Sequence, residues 1–346
     1  MIKLNFNLET MNKFRIVFFP FAFVYLVITN FRNLLYDLNF LKSYSFNRKI
    51  IGVGNLSMGG TGKTPFVELL IKKYSTRFNI ALVSRGYKRK TSGFYKADNN
   101  SSPDLIGDES FQIFKKFNNI IVAVDKNRAN AISRIQNEEK KTNLFILDDS
   151  FQHRKVKPDL NILLTTYNNP IYDDCIFPVG NLRESKKSLN RADIVIVTKT
   201  PPTIKNKKKI QIQNKLKIND HQNIFFTSIN YGNILKGDTS YKINDIKNEK
   251  ILIVSGIANS RSFVDFFSSN NIDFKHIKFS DHYNYTQEDI NEIESDNDNL
   301  IITTEKDFQK IQFLERKNKW SYLEIETKFI GGEQKFESLL QQSFIM

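Results

Sequence analysis

The chain has 346 residues, 40% of them apolar and 25% charged, the balance of a globular protein that buries a core of its own, which excludes wholesale disorder. A formal net charge of +14 and a pI near 9.5 admit a nucleic-acid, anionic-lipid or phosphate partner, although the abundance of Lys, Asn, Ile and Phe also reads as the mark of an AT-rich genome. Cys175 is the only cysteine, so no disulfide can form within the chain and a reducing compartment is expected.

The first element is the apolar run from Ile16 to Ile28, whose 13 positions make roughly 20 Å of helix against a hydrocarbon core of about 30 Å, too short to span. No small-residue cleavage site follows, so the segment is expected to stay attached. Behind it Phe31, Leu34, Leu35, Leu38 and Leu41 recur at helical spacing, and residues 1–50 carry seven basic side chains against two acidic ones. An apolar face with basic flanks suits a helix lying in an anionic membrane interface; a buried helix packed on the sheet of the main domain is the alternative.

Strands are then expected over 49–55, 80–84, 120–124, 144–147, 160–165 and 194–198, with helices over 64–74, 108–116 and 127–137 between them. Apolar strands alternating with helices predict a mainly parallel sheet covered on both faces. The Lys-rich stretch 205–217 reads as a solvated helix or loop, and 224–234 as an extended segment leading out of the first domain. A second α/β unit begins near residue 250, with strands over 251–254, 274–279, 300–303 and 322–329 and helices over 262–268 and 287–293, the last capped by Thr286. Gly331-Gly332 breaks the chain before a final helix over 337–342. The expected division is residues 1–45 for the N-terminal helix region, 46–234 for the first domain, 235–330 for a smaller α/β domain, and 331–346 for a helix packing back on the first domain.

The strongest chemical signal is Gly52-Val-Gly-Asn-Leu-Ser-Met-Gly-Gly-Thr-Gly-Lys-Thr64, which follows a strand and enters a helix. In such a loop, Ser57, Met58, Gly59, Gly60, Thr61 and Gly62 turn their backbone N–H groups around nucleotide phosphates. Lys63 reaches the β and γ oxygens, and the Thr64 hydroxyl joins the shell of a Mg²⁺ ion. Ser57 stands where the generic pattern has its first glycine. Downstream, the apolar strand Leu144-Phe-Ile-Leu ends in Asp148-Asp149; hard carboxylate oxygens there suit a divalent ion opposite Thr64. The run Ser-Phe-Gln-His-Arg adds Gln152 and His153 near the same edge. Asp108 and Glu109, after Gly107, read either as a base and a metal ligand or as ordinary first-turn acids favoured by the helix dipole. His282, after Asp281, reads as functional or structural. Arg85 and Tyr87, and Asn181 and Arg183, lie in loops where they could clamp a phosphate or make surface salt bridges.

Taken together, these residues resemble the tetraacyldisaccharide 4′-kinase family. The resemblance runs over most of the chain: the N-terminal apolar helix, Gly54-Asn55 ahead of Gly-Gly-Thr-Gly-Lys-Thr-Pro65, Ser-Arg-Gly-Tyr87, Gly-Asp-Glu109, Asp-Asp-Ser-Phe-Gln-His153, Asn-Leu-Arg-Glu184, Gly-Ile-Ala-Asn259, Asp281-His282 and Thr-Thr-Glu-Lys-Asp307. Family members also carry a small polar residue at the position of Ser57. Ser150 departs from the family's usual glycine, and Asn181 from the residue more often found in its loop.

The resemblance implies an α/β fold: a P-loop NTPase-type, mainly parallel sheet domain, a second, smaller α/β domain, and an N-terminal membrane-interfacial helix. It implies transfer of the γ-phosphoryl group of ATP to the 4′-hydroxyl of a tetraacyldisaccharide 1-phosphate, giving lipid IVA. Asp108 would be the general base, adjusted by His282 from the other domain, which predicts closure before chemistry. Thr64, Glu109 and Asp148 would hold Mg²⁺, while Arg85, Tyr87, Asp149, Gln152, His153, Asn181 and Arg183 would line the acceptor or phosphate side. The expected setting is a monomer on the anionic cytoplasmic face of a Gram-negative inner membrane, with a lipid-linked disaccharide as substrate and no nucleic-acid partner. The competing class is a membrane-associated P-loop ATPase switch of the partitioning or targeting kind. Such switches carry a signature lysine where this chain has Met58.

Overall fold

Runs of Ile, Leu and Val punctuated by glycine and by capped helices build two α/β units in the computed structural model, which describes residues 13–257, 259–295 and 300–345. The elements in chain order are α1 (Phe19–Asp37), β1 (Lys49–Asn55), α2 (Lys63–Tyr74), β2 (Ile80–Ser84), β3 (Tyr95–Lys96), α3 (Pro103–Ile106), α4 (Asp108–Lys116), β4 (Ile121–Val124), α5 (Arg128–Glu138), β5 (Leu144–Asp148), β6 (Leu160–Thr166) and β7 (Ile194–Thr198). They continue with α6 (Asn206–Leu216), β8 (Asn223–Gly237), β9 (Tyr241–Lys242), β10 (Ile251–Ser255), α7 (Arg261–Ser269), β11 (Phe274–Lys278), α8 (Gln287–Ile293), β12 (Leu300–Thr304), α9 (Glu305–Ile311), β13 (Trp320–Phe329) and α10 (Glu333–Ile345).

Unit 1 comprises Met1–Arg85, Asn119–Ile229 and Thr327–Met346; unit 2 comprises Gly86–Asn118 and Asn230–Glu326. Residues 86–118 therefore belong to unit 2, where the sequence pattern places them in the first domain. Tertiary packing decides this membership, and local periodicity carries no trace of it. Asp108 and His282 consequently lie in the same unit, which removes the ground for expecting closure from a base on one domain and its partner on the other.

In unit 1 the strands run in the order β8-β7-β6-β1-β5-β2-β4, every neighbouring pair parallel. β1 sits between β5 and β6, where the strand order changes direction, and the carboxyl ends of such strands open on the crevice where open α/β sheets take ligands. β1 is buried almost throughout, as are β2, β5 and β7. Each fully buried Ile, Leu or Val contributes about 1.5–3 kcal/mol relative to exposure, which offsets the ordering of these strands. On one side the core gathers Leu56, Phe151, Leu163, Val195 and Val197. α10 closes another part of the unit: Phe336 meets Phe66, Phe225 and Phe329 edge-on or tilted, and Lys73 pairs with Glu333 and Glu337.

In unit 2, β11-β10-β12-β13 are parallel, and β9 pairs antiparallel with the second half of β8. Successive residues of β10 go to opposite cores, Ile251 and Ile253 to one, Leu252 and Val254 to the other, so both faces of the sheet are covered. α8 begins at the Thr286 cap, where a full capping box with Asp289 is present.

The N-terminal helix differs from the sequence expectation. Helical geometry continues from Arg15 to Asp37, 23 residues, or roughly 35 Å, so by length and composition it is long enough to cross a membrane. Counting only the wholly apolar positions stops the estimate short. One face is tied to unit 1: Tyr25 donates to the Arg183 carbonyl at 3.0 Å, Arg32 to the Gln152 carbonyl at 2.7 Å, and Asn33 to Glu184 at 3.1 Å. The rest is open, with Phe21, Phe23, Val24, Ile28, Phe31 and Leu34 all exposed. The alternative of a helix buried on the sheet does not describe it.

Gly54 tests how tightly β1 is held. A Cβ there would sit 2.6 Å from Phe151 Cβ and 2.7 Å from the Phe151 amide nitrogen. Gly54→Ala is expected to cost about 1–3 kcal/mol of stability, read as a lowered denaturation midpoint with an unchanged denaturant slope.

Candidate active site

Two clusters of polar side chains stand out, one in each unit. In unit 1 the loop from Ser57 to Gly62 joins β1 to α2. Gly59 and Gly62 have φ of +105° and +82°, a region in which a side chain would be strained. The loop is strapped by the segment after the β6 connection: Met58 N–H donates to the Asn181 carbonyl at 2.7 Å, Arg183 N–H to the Leu56 carbonyl at 2.7 Å, and Ser57 bridges Leu182. From the carboxyl end of β7, the Thr198 hydroxyl donates to the Thr61 carbonyl at 2.7 Å and Lys199 Nζ to the Gly60 carbonyl at 2.8 Å. These bonds occupy two of the loop carbonyls. The hydroxyls of Ser57 and Thr61 are buried and make no hydrogen bond among the described residues.

Lys63 and Thr64 open α2, at the positive end of its dipole. Lys63 Nζ lies 3.3 Å from Asn55 Oδ1 and 3.4 Å from Asp149. Asp149 adopts φ of 48°, just past the end of β5. Its two oxygens also accept from Arg183 at 3.0 Å, and Arg183 reaches Gln152 Oε1 at 3.4 Å. Gln152 in turn donates to the Asn55 carbonyl at 2.9 Å. Burial alone would push the Asp149 carboxyl up, but Lys63 and Arg183 outweigh it and hold the group down at about 2. Burial, seconded by Arg128, pushes His153 down to about 4, so this imidazole is neutral near pH 7. Asp148 is buried at the end of β5, in register with Val53 of β1. Arg85 is exposed just after β2 and faces Arg128 and His153 only through its charge.

In unit 2, Gly107 has φ of 85° and a Cβ on it would meet the Tyr87 carbonyl at 2.9 Å. That close turn aims Asp108, the first residue of α4, at His282: Nδ1 to Oδ2 is 3.1 Å. Lys310 Nζ is 2.9 Å from the same oxygen. Lys306 Nζ lies 3.0 Å from His282 Nε2 and 3.4 Å from Glu109. The Tyr87 ring packs edge-on against His282, centroids 5.4 Å apart. Burial raises the Asp108 carboxyl, but the His282 hydrogen bond and the two lysines reverse this and leave it below its ordinary value.

The expected site residues thus separate into two groups. Lys63, Asp149, Gln152 and Arg183 are in contact, with the Asn181 backbone on the loop beside them. Tyr87, Asp108, Glu109 and His282 form the second group. Thr64 and Asp148 belong to unit 1 and Glu109 to unit 2. No cluster of three His, Cys, Asp or Glu ligands occurs among the described residues. Magnesium characteristically keeps water and phosphate oxygens and takes only one or two protein ligands, so a hydroxyl at a helix start and a buried strand-end carboxylate suit it.

Residues 14–345 match the family model described as Tetraacyldisaccharide-1-P 4'-kinase, LpxK. The chain belongs to the tetraacyldisaccharide-1-P 4'-kinase family. It is 43% identical over 334 residues to a tetraacyldisaccharide 4'-kinase of Flavobacterium johnsoniae, covering 96% of this chain and 98% of that one. It is 40% identical over 307 residues to the enzyme of the same name from Bacteroides fragilis, covering 85% and 82%. Its structure resembles that of LpxK from Aquifex aeolicus in complex with ATP, with a TM-score of 0.77 and 28% identity over 96% of this chain and 99% of that one. The expected P-loop type α/β fold is borne out, and the membership displaces the partition-type ATPase switch.

For this kinase-family member the sequence pattern does not point to Thr198, Lys199 or Lys310, and it holds Lys306 only within the Thr-Thr-Glu-Lys-Asp307 motif, with no role attached. Lys306 and Lys310 ride on α9, whose seven residues are too few to show a period. The available signal is Thr304-Glu-Lys-Asp307, a capping pattern: Thr304 Oγ1 accepts from the Asp307 amide at 3.1 Å.

The Asp149 carboxylate gives a pH test. Its folded pKa lies below the ordinary carboxylate value of 3.8, so its contribution to stability is present above about pH 4 and lost as pH falls toward about 2. The gap in melting temperature between the parent and Asp149→Asn should be widest above pH 5 and shrink on acidification; a gap independent of pH would contradict the assignment.

Proposed function

We propose that the chain transfers the γ-phosphoryl group of ATP to the 4′-hydroxyl of a tetraacyldisaccharide 1-phosphate, the step that forms lipid IVA. The observation that carries this reading is that one family match, residues 14–345, takes in both the glycine-turned loop with Lys63 and the Asp108–His282 pair. The solved relative from Aquifex aeolicus is in complex with ATP, which supports nucleotide binding at the loop.

In this reading the amides of residues 57–63 grip the phosphates, and Lys63 moves from Asp149 to the β and γ oxygens. Thr64, Asp148 and Glu109 would hold magnesium, which when bound neutralises charge on the phosphate oxygens. Asp108 accepts the proton of the 4′-hydroxyl as the new O–P bond forms and the bond to the β-phosphate oxygen breaks, releasing ADP. His282 orients the carboxylate. Arg85, Tyr87, Asp149, Gln152, His153, Asn181 and Arg183 line the acceptor or phosphate side, where arginine suits bidentate phosphate contacts.

The exposed apolar residues of α1 suit a helix lying in the lipid interface with its polar face bonded to unit 1, which supports a reaction at the cytoplasmic face of the inner membrane.

Asp108→Ala is expected to leave Mg-ATP binding nearly intact and to lower phosphoryl transfer on the order of 10²–10⁴-fold. Unchanged turnover would remove Asp108 from the reaction. Combined substitution of Phe21, Ile28 and Phe31 by Asn should lower co-sedimentation with anionic vesicles by at least about tenfold while ATP binding persists. Undiminished pelleting would place the membrane contact elsewhere.

A further inference from the structure

The Asp108–His282 pair does not stand alone. A lysine ammonium has donors and no acceptor, so at 3.0 Å Lys306 Nζ can meet His282 Nε2 only if that nitrogen presents its lone pair. Glu109 Oε1, 3.7 Å from Nε2, is beyond hydrogen-bonding distance, so the imidazole proton sits on Nδ1, which points at Asp108 Oδ2, 3.1 Å away. Lys310 donates to the same carboxylate oxygen at 2.9 Å and to the Tyr283 carbonyl at 2.9 Å, so its ammonium is anchored on two sides. Two donors therefore converge on Oδ2.

The framework behind these contacts is rigid. Asp307, wholly buried on α9, accepts from the Gly256 amide at 2.8 Å and from the Thr304 hydroxyl at 2.7 Å. The Gly256 carbonyl accepts from the His282 amide at 3.2 Å. One residue thus ties the helix carrying Lys306 and Lys310 to the turn carrying His282. A Cβ on Gly256 would meet Tyr285 Oη at 2.8 Å and Asp307 Oδ1 at 3.0 Å, so the junction has no slack.

We infer that Lys306 is a positioning residue for the base: by donating to Nε2 it fixes His282 as the Nδ1–H tautomer, keeps the ring from taking the acceptor's proton, and leaves Asp108 Oδ1 to receive it. Lys310 completes the arrangement by holding Oδ2 in place. The inference rests on the reading of Asp108 as the base, and its test separates the two.

Nitrogen NMR of isotope-labelled histidine is practicable because the chain has four histidines, and a His282→Asn sample assigns the signal. In the full-length parent protein the expected state of His282 is Nδ1 protonated and Nε2 unprotonated. In Lys306→Met, which keeps the apolar stem, that tautomer should give way to a mixture. The value of kcat should fall about ten- to a hundredfold, with KM for ATP held. Lys306→Arg, which retains a donor, should restore most of both the tautomer and the rate. A parent ring protonated on Nε2, or an unchanged tautomer in Lys306→Met, would overturn the inference; the parent spectrum alone decides if the variant does not fold. A shifted tautomer with unchanged kcat would uphold the role of Lys306 on His282 and overturn the place of the Asp108–His282 pair in the reaction.

Discussion

The phosphate loop depends on one shared carboxylate. Asp149 lies between the cations of Lys63 and Arg183, which without it would repel each other beside the loop proposed to receive phosphate oxygens. Its left-handed backbone brings the side chain under both, and the Arg183 segment that meets it also straps Leu56 and Met58 through the backbone. The same segment receives α1, since Tyr25 donates to the Arg183 carbonyl and Asn33 to Glu184. Helix, strap, carboxylate and loop thus form one bonded chain within unit 1. In the proposed reaction an approaching nucleotide would compete with Asp149 for Lys63, leaving Arg183 to keep the carboxylate paired.

Unit 2 solves a different problem with similar means. A carboxylate proposed to accept a proton, as Asp108 is, must be ionised beforehand, and burial opposes this. His282 and Lys310 on a single oxygen offset the burial of Asp108, and the tight turn at Gly107 sets the angle from which it points. The insertion of residues 86–118 into unit 2 brings Asp108 and Glu109 from the first third of the chain to the lysines of α9 from its last fifth. In the proposed reaction unit 1 would hold the nucleotide phosphates and unit 2 the proton acceptor.

Much of this is legible in the order of residues alone. A strand, a glycine-rich loop and a helix start are local features, and β1, α2 and α4 fall where periodicity and glycine placement put them. The order of strands in each sheet is not legible, because parallel neighbours such as β1 and β5 come from distant parts of the chain and buried strands read alike. Nor is the allegiance of residues 86–118, which only packing reveals. Lys199 follows an apolar strand with no motif around it, and its bond to Gly60 exists only because β7 ends beside the loop. The cap of α9 is a readable signal, but lysines spaced four apart on a short helix read as a solvated face until His282 and Asp108 are placed next to them. The length of α1 is underestimated from the apolar run because polar residues such as Thr29, Asn30 and Arg32 interrupt that run without interrupting the helix.

In the proposed reaction both clusters serve a single transfer, in which phosphate passes from ATP to the distal sugar of a tetraacyldisaccharide 1-phosphate. The direct measurement is to incubate the purified protein with γ-labelled ATP, magnesium and that acceptor in mixed micelles, and to locate the label. Label on the 4′-oxygen of the distal sugar, absent with Lys63→Ala, is the predicted result. Label released only as inorganic phosphate, or transfer undiminished by Lys63→Ala, would contradict it.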